Sequence, residues 1–341
     1  PDYGDYSLPK TTHVTVPTTN YEIGDYTLPK PRRSTIRDLV HKADIVFGQT
    51  IGPIGSIGGW YARQTNTPLI HYTHSIEWQL VPQATNQHAL KRLTKQITRW
   101  YARRYYNRTN HIITPSRTIQ ESLHYEGIKT QGTVAPLGVD HDTFKPVDQL
   151  SDPEQTQVKT YRDTITDDDT VLIGYHGRFA REKDLLTLLR GIKRLKKRRD
   201  NFHLVVIGDG LDYLRDKIDA DSHASTLPVQ TDIHRYVQAF DIYVTTTLTE
   251  TTSLSTAEAM ACGKPVVATP AGYIGDYIDH GENGYLIDFK DHYSLSEHLR
   301  ELIDHPERRR TFGEAAWKTA KTTFNWDKTS SIIQDVLEKH A

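Results

Sequence analysis

At 341 residues the chain exceeds what one ordinary hydrophobic core serves and suits two domains of roughly 150 to 180 residues each, hence a cleft between them. Its 42 basic and 43 acidic side chains nearly cancel, which removes any whole-molecule field for drawing in nucleic acid and leaves anionic partners to local sites. The single cysteine, Cys262, excludes an internal disulfide and suits a reducing cytoplasm; no run of about 18 or more apolar residues spans a bilayer, and no charged-then-apolar segment marks a signal peptide.

GDYSLPK from Gly4 and GDYTLPK from Gly24 echo one another once and read as two similar turns, with HVTVP between them as an edge strand. From Ile36 the pattern is helix, strand DIVFG, helix through GSIGGWYARQ, strand PLIHYTH, and a long basic helix from Asn86 to Asn107. Strand HIITPS, helix TIQESLHYEG and strand TVAPLG follow. Residues 141–158 are polar, Pro-containing and unperiodic, and read as a linker. A second alternation then opens: TVLIGYHG, a helix from Glu182 to Arg198, FHLVVIGDG, a helix from Tyr213, DIYVTTT, a helix around Glu258, PVVAT and GYLI. Helices including SLSEHLRELID and TSSIIQDVLEKHA fill the C-terminal end. The reading is α/β, with two doubly wound, Rossmann-like domains over residues 1–150 and 151–341, the last helix returning to the first domain. Ligands of such sheets bind outside the carboxyl ends of the strands.

Four clusters fall at or near those ends. In GYHGRFAREKD, Gly174 and Gly177 permit a tight turn, and Arg178 and Lys183 stand where a helix opens. A lysine there opposes the positive end of the helix dipole, a conflict that a bound anion removes and that Glu182 and Asp184 also offset. In TETTSLSTAEAM, Glu250 lies in a polar loop, and Ser255 with Glu258 has the spacing of a capping box. Solvation and capping account for the two acids; facing a cleft, they would also supply acceptors for a polyhydroxy ligand. In LIHYTHSIEW, His71, His74 and Glu77 invite a metal reading, but His71 and His74 point to opposite faces of an extended strand. No metal site is therefore expected, His74 is the better ligand contact, and Asp167, Asp168 and Asp169 read as a solvated turn. In residues 91–108, Leu93, Ile97, Trp100, Tyr101 and Tyr105 make an apolar stripe against Lys91, Arg92, Lys95, Arg99, Arg103, Arg104 and Arg108. Such a helix either packs on a core with a solvated basic face or lies on an anionic bilayer.

In this order the motifs resemble the retaining glycosyltransferases of family 4, which have the GT-B fold, two Rossmann-like domains facing across a cleft. GRFAREKDLLTLLRG is similar to that family's donor-phosphate segment and ETTSLSTAEAMACGKPVVA to its paired-glutamate motif; ITPS, PLGVDHDTF, IGDG and FNW stand where the family has similar segments. The resemblance implies that Arg178 and Lys183 hold the diphosphate, Glu250 contacts the transferred hexose, and Glu258 holds the ribose hydroxyls. It places Gly177, Thr252, Ser253 and Leu254 along the donor and His74 against the sugar. It also implies a nucleotide-sugar donor, a sugar, lipid or lipid-linked acceptor, no required cofactor or metal, and a cytoplasmic chain that can sit peripherally on an anionic membrane through residues 91–108. Ser253 replaces a glycine usual after the first glutamate, and Tyr273 stands where a second glycine is common. The family opens with a strand and glycine-rich loop that nothing before Ile36 supplies, so the first domain is expected to be incomplete at its N-terminus. Two alternatives stay open: a nucleotide-sugar-binding protein impaired in catalysis, and another GT-B reaction such as nucleotide-sugar epimerisation.

Overall fold

The computed structural model describes residues 11–23, 26–84, 88–167 and 169–341. The Gly4 copy of the short repeat, Gly24 and Asp25 of its echo, Asn86 and Asp168 lie outside the described residues. A short antiparallel hairpin comes first, β1 (Thr18–Ile23) with β2 (Tyr26–Pro29). The strand expected at HVTVP is not formed: these residues are mostly exposed, and among the described residues only the Pro17 carbonyl at their end takes a backbone hydrogen bond, from Lys30 N–H at 2.7 Å; alternation without a partner ladder or a buried face does not hold a strand.

The first sheet is parallel, with β3 (Val46–Gly48), β4 (Leu69–Tyr72), β5 (His111–Thr114) and β6 (Gly132–Val134) side by side in chain order. The second is also parallel and has six strands: β7 (Val171–His176), β8 (Phe202–Ile207), β9 (Ala224–Leu227), β10 (Ile242–Thr245), β11 (Val266–Ala268) and β12 (Gly284–Leu286). Its spatial order is β12-β11-β10-β7-β8-β9. The chain thus runs outward from β7 to β9, then returns to the other side of β7 with β10. That reversal makes the β7/β10 boundary a topological switch point, where the loops after two neighbouring strands leave in opposite directions and open a crevice.

Period-two alternation builds two cores from one sheet. Leu172, Val205, Ile207 and Tyr243 join one cluster, while Val171, Ile173, Tyr175, Leu204, Val206, Ile242 and Val244 join the other. Cys262 is buried within the first, and burial pushes its thiol up to about 12, so it is inert at neutral pH.

The stretch read as a linker holds a helix, Asp152–Asp163, preceded by a 3-10 turn at Val147–Gln149. Ser151 and Glu154 form a full capping box there, with Pro153 in the first turn, so the proline starts a helix instead of breaking one. Arg162 docks this helix on the second sheet through Asp241 (2.8 Å) and the Ala239 carbonyl (2.9 Å).

The final helix, Trp326–His340, leaves the second domain and covers the first sheet. Ile332, Ile333, Val336 and Leu337 pack on Ile70, Tyr72, Ile113 and Ala135. The two places where the chain passes between domains lie together: Val139 N–H donates to the Phe324 carbonyl at 3.0 Å, and Val139 bridges Asn325.

Candidate active site

The Arg178 and Lys183 loop follows β7 and the Glu250 loop follows β10, so the switch point brings together residues 67 apart in sequence. Backbone and hydroxyl contacts pin the two loops: Leu248 N–H donates to the Glu182 carbonyl (2.7 Å) and Thr246 Oγ1 to the Asp184 carbonyl (3.0 Å). Lys183 Nζ is paired with Glu250 Oε1. Arg178 reaches Glu182 Oε1 at 2.6 Å.

Lys183 does not lie in a first helical turn, where a helix from Glu182 would place it. Residues Arg181–Lys183 make a 3-10 turn, Asp184 adopts a left-handed φ of 47°, and the helix proper is Leu185–Leu195. The lysine therefore leaves the helix axis and reaches across to the β10 loop. Glu182 answers Arg178, and Asp184 accepts from Thr187 Oγ1 (2.7 Å), so neither acid neutralises the lysine; Glu250 does.

The capping box assigned to Ser255 and Glu258 is not made. The helix Leu254–Ala261 starts one residue earlier, after Ser253 at φ 58°, and no side chain caps it. Glu258 Oε2 is instead 2.8 Å from Nε2 of the buried His176 at the end of β7. Thr252 and Ser253 are buried behind this turn, with Ser253 Oγ 2.8 Å from Thr256 Oγ1, while Leu254 is exposed. Gly177, at φ 148°, makes the turn out of β7. Gly272, at φ 57°, lets its backbone pass the Glu250 carbonyl, where an added Cβ would stand 2.0 Å from that oxygen.

From the first domain, His74 follows the end of β4 and stacks on Tyr72 at 4.5 Å. Its carbonyl accepts from Thr251 Oγ1 at 2.7 Å, and Gln79 Oε1 meets Thr249 Oγ1 at 3.0 Å, so the domains touch here. Burial lowers the pKa of His74, keeping it neutral, and its Nε2 is buried without a partner among the described residues. His74, Arg178, Lys183 and Glu250 line one cavity of about 150 Å³. Glu258 lies outside that lining, one step along the same sheet edge.

His71 turns the other way, fully buried against Tyr105 and Tyr106. Burial first, and then His74, lower its pKa to about 3. Glu77 has no cation partner among the described residues; it accepts from Tyr106 (3.0 Å) and Ser75 (3.2 Å), and burial raises its pKa to about 7. An acid with a raised folded pKa favours folding below its ordinary value of 4.5 and loses that contribution as pH climbs through about 7. His71 has the opposite sign and loses its contribution as pH falls below 6.5. Glu77→Gln should therefore be more stable than the parent at pH ~8, by about 2–4 kcal/mol at ~1.4 kcal/mol per unit, and equal to it near pH ~4. Denaturant unfolding at both pH values checks this; identical pH slopes in the two proteins would remove Glu77 as the cause.

Among the described residues no group of three His, Cys, Asp or Glu is placed to hold a metal ion. Asp167 and Asp169 are exposed. The basic helix, His88–Tyr106, departs from the single stripe expected of it. Tyr101 and Tyr105 turn inward, with Tyr105 donating to the Gly55 carbonyl at 3.2 Å. Leu90, Leu93, Ile97 and Trp100 are 40, 54, 54 and 64% exposed. No helix among the described residues is long and apolar enough to cross a membrane.

Two residues escaped the sequence reading. His176 had only its place at the end of an apolar run to betray it. Gln79, beside the cleft, had no signal at all.

Two family profiles match the chain: "Glycosyltransferase Family 4" over residues 4–143 and "Glycosyl transferases group 1" over residues 159–319. The putative glycosyltransferase EpsD of Bacillus subtilis is 27% identical over 225 residues, 64% of this chain and 57% of that protein. The alpha-monoglucosyldiacylglycerol synthase of Streptococcus pneumoniae is 24% identical over 298 residues, 83% of this chain and 65% of that protein. These matches span under two thirds of each relative's length. Among solved structures, Anabaena HepE in complex with UDP-glucose superposes with a TM-score of 0.78 at 20% identity, covering 90% of this chain and 82% of that one. Sucrose-phosphate synthase from Thermosynechococcus elongatus gives 0.74 at 17% identity, covering 90% and 76%. Two profiles that between them take in both sheets, and the same two-sheet arrangement in proteins of low identity, lead to one conclusion: the chain belongs to the family 4, or group 1, glycosyltransferases of GT-B fold.

Proposed function

We propose that the protein transfers a hexose from a nucleotide-diphosphate sugar to a hydroxyl acceptor, with retention of anomeric configuration and without a required metal or other cofactor. The observation that carries this reading is the convergence of two cations, two acids and a neutral histidine with an unpartnered Nε2, from both sheets' carboxyl edges, on one cavity among the described residues. Arg178 and Lys183 would stabilise charge developing on the leaving diphosphate, a preorganised electrostatic contribution that needs no proton transfer. Lys183, on moving to the phosphate, would release Glu250 to accept hydroxyls of the hexose, which makes Glu250 a positioning and electrostatic group and not a covalent nucleophile. His74 Nε2 would meet the sugar from the opposite wall. Gly177, Thr252, Ser253 and Leu254 would run along the donor, their backbone close to it. At about 150 Å³ the cavity is smaller than the ~300–1,000 Å³ of ordinary small-molecule sites. Binding a whole nucleotide sugar therefore requires the Thr249–Gln79 and Thr251–His74 contacts to part.

Glu258 would hold the ribose hydroxyls, with His176 orienting its carboxylate. His176→Ala should raise the donor KM about five- to tenfold, the weight of roughly one ordinary hydrogen bond, and leave kcat near that of the parent. His176→Gln should recover part of the loss. A fall in kcat with KM unchanged would refute the positioning role.

The acceptor class we favour is a lipid or lipid-linked sugar at the cytoplasmic face of a membrane. Leu90, Leu93, Ile97 and Trp100 stand out to solvent among Lys91, Arg92, Lys95 and Arg104, the pattern of a helix lying in an anionic interface. The helix leans on Glu77–Leu80, beside the cleft. The names of the relatives point the same way, diacylglycerol glycolipid synthases from Streptococcus pneumoniae and Acholeplasma laidlawii among them.

A donor screen tests the proposal: nucleotide release from UDP- and GDP-sugars, with and without vesicles carrying diacylglycerol and anionic lipid. The expected result is acceptor-dependent release and sedimentation with anionic vesicles that is lost in Leu93→Ser/Ile97→Ser. Nucleotide binding by calorimetry without transfer or donor hydrolysis would favour a binding protein instead, and a converted nucleotide sugar formed without acceptor would favour epimerisation. Sedimentation insensitive to anionic lipid would remove the membrane component.

A further inference from the structure

A second cavity, of about 490 Å³, lies at the far end of the helix Leu185–Leu195, walled by Arg190, Lys193, Arg194, Lys196 and Lys197 with His292 and Tyr293. Arg194 is 11 residues beyond Lys183, about 16 Å at the rise of a helix, so this cavity is separate from the cleft. The surrounding surface answers its cations with acids: Lys196 with Asp221 at 3.0 Å, Arg198 with Glu297 at 2.9 Å and Arg199 with Asp304 at 2.5 Å. Arg190, Lys193, Arg194 and Lys197 stand at i, i+3, i+4 and i+7, and none forms an ion pair with a described carboxylate. Asp221 also feels the charge of Lys193, but its carboxylate is held by Lys196.

Like charges at these spacings repel. The negative end of the helix dipole eases one or two of them, but it does not call for a concave wall without an acid in it. Arg194 is further specified: its guanidinium lies 4.4 Å from the Tyr293 ring centre, and its buried Nε has no hydrogen-bond partner among the described residues. A fixed fork with an unmet donor, in a cavity where four of the five cations form no ion pair with a described carboxylate, is the chemistry that recognises a phosphate oxyanion.

We propose that this cavity is a binding site for a phosphate group, independent of the reading given to the cleft. Its source is either a free phosphate ester or the headgroup of an anionic lipid. The test is calorimetric titration of the full chain with inorganic tripolyphosphate, comparing Arg190→Ala/Lys197→Ala in the cavity, Arg178→Ala/Lys183→Ala in the cleft, and Lys318→Ala on an exposed helix as a charge control. The cavity pair should weaken one binding event at least tenfold, whereas that event persists in the cleft pair and the control; circular dichroism confirms the fold of each. Flotation with phosphatidylglycerol vesicles separates the sources. Weaker flotation of the cavity pair identifies a lipid headgroup, and unchanged flotation with lost tripolyphosphate binding identifies a free phosphate ester. Tripolyphosphate binding that vanishes in the cleft pair and is intact in the cavity pair would overturn the proposal, as would an equal loss in the control.

Discussion

Lys183→Ala should slow turnover at saturating donor by at least about tenfold and by as much as about a hundredfold. The lysine side chain is 17% exposed, as is that of its partner Glu250, so the charge acts in a site largely screened from water. A charge-assisted contact to the leaving diphosphate is worth roughly 1.5–3 kcal/mol, and each ~1.4 kcal/mol of barrier is a factor of ten in rate. The loss should appear in kcat as well as in donor KM, because the contact strengthens as negative charge builds on the leaving oxygen. Lys183→Arg should recover only part of the rate, since a planar fork on a different stem does not overlay an ammonium. The alanine variant also leaves Glu250 without its counter-charge in the unliganded chain, so thermal unfolding should be followed beside the kinetics. Unchanged kcat at saturating donor would end the assignment of Lys183 to the leaving group.

Removing residues 326–341 should abolish a stable monomer. Ile332, Ile333, Val336 and Leu337 cover Ile70, Tyr72, Ile113 and Ala135, and full burial of such side chains is worth about 1.5–3 kcal/mol each. Several together rival the roughly 5–15 kcal/mol by which a folded domain exceeds its unfolded state. Thr329 adds a hydrogen bond to the Pro136 carbonyl at 2.5 Å. Val336→Asp is the gentler form of the experiment and should cost several kcal/mol by placing a charge among Tyr72, Ile113 and Ala135. Size-exclusion chromatography and thermal unfolding read both; a truncated chain that stays monomeric at the parent's unfolding temperature would show that the helix is dispensable.

The strands were legible because both faces of a parallel sheet are buried, and such strands read as continuous apolar runs, as in TVLIGYH and FHLVVIG. The edge strand β9 was not, since ASTL carries little apolar weight. In the basic helix, Leu93, Ile97, Trp100, Tyr101 and Tyr105 spread over roughly 140° at about 100° per residue. The boundary between core and solvent cuts through that arc, leaving the two tyrosines inside and the others outside. Periodicity reports which residues share a side of a helix, not which part of that side is covered.

At the site, residue types and their order marked Arg178, Lys183, Glu250, Glu258 and His74, but not who holds whom. The pairing of Lys183 with Glu250 follows from the return of the chain across β7, a property of strand order invisible in local sequence. Glu258 looked like a cap partner because Ser255 stood three residues before it; the helix start at Leu254 and the histidine on β7 decided otherwise. Ser253, where the resembling family usually has glycine, adopts φ 58°. That is a backbone requirement glycine meets without cost and serine does not.

The adjoining crossings at Val139 and at Phe324 and Asn325 give the chain a nested architecture. Everything between them departs from the first domain and returns to within one hydrogen bond of its departure point, so the second domain is an insertion in the first. Its two ends are already closed. Excising or exchanging the whole insert at that point asks the host to bridge only a hydrogen bond's span, and the sheet-covering helix that follows is part of the host's own core.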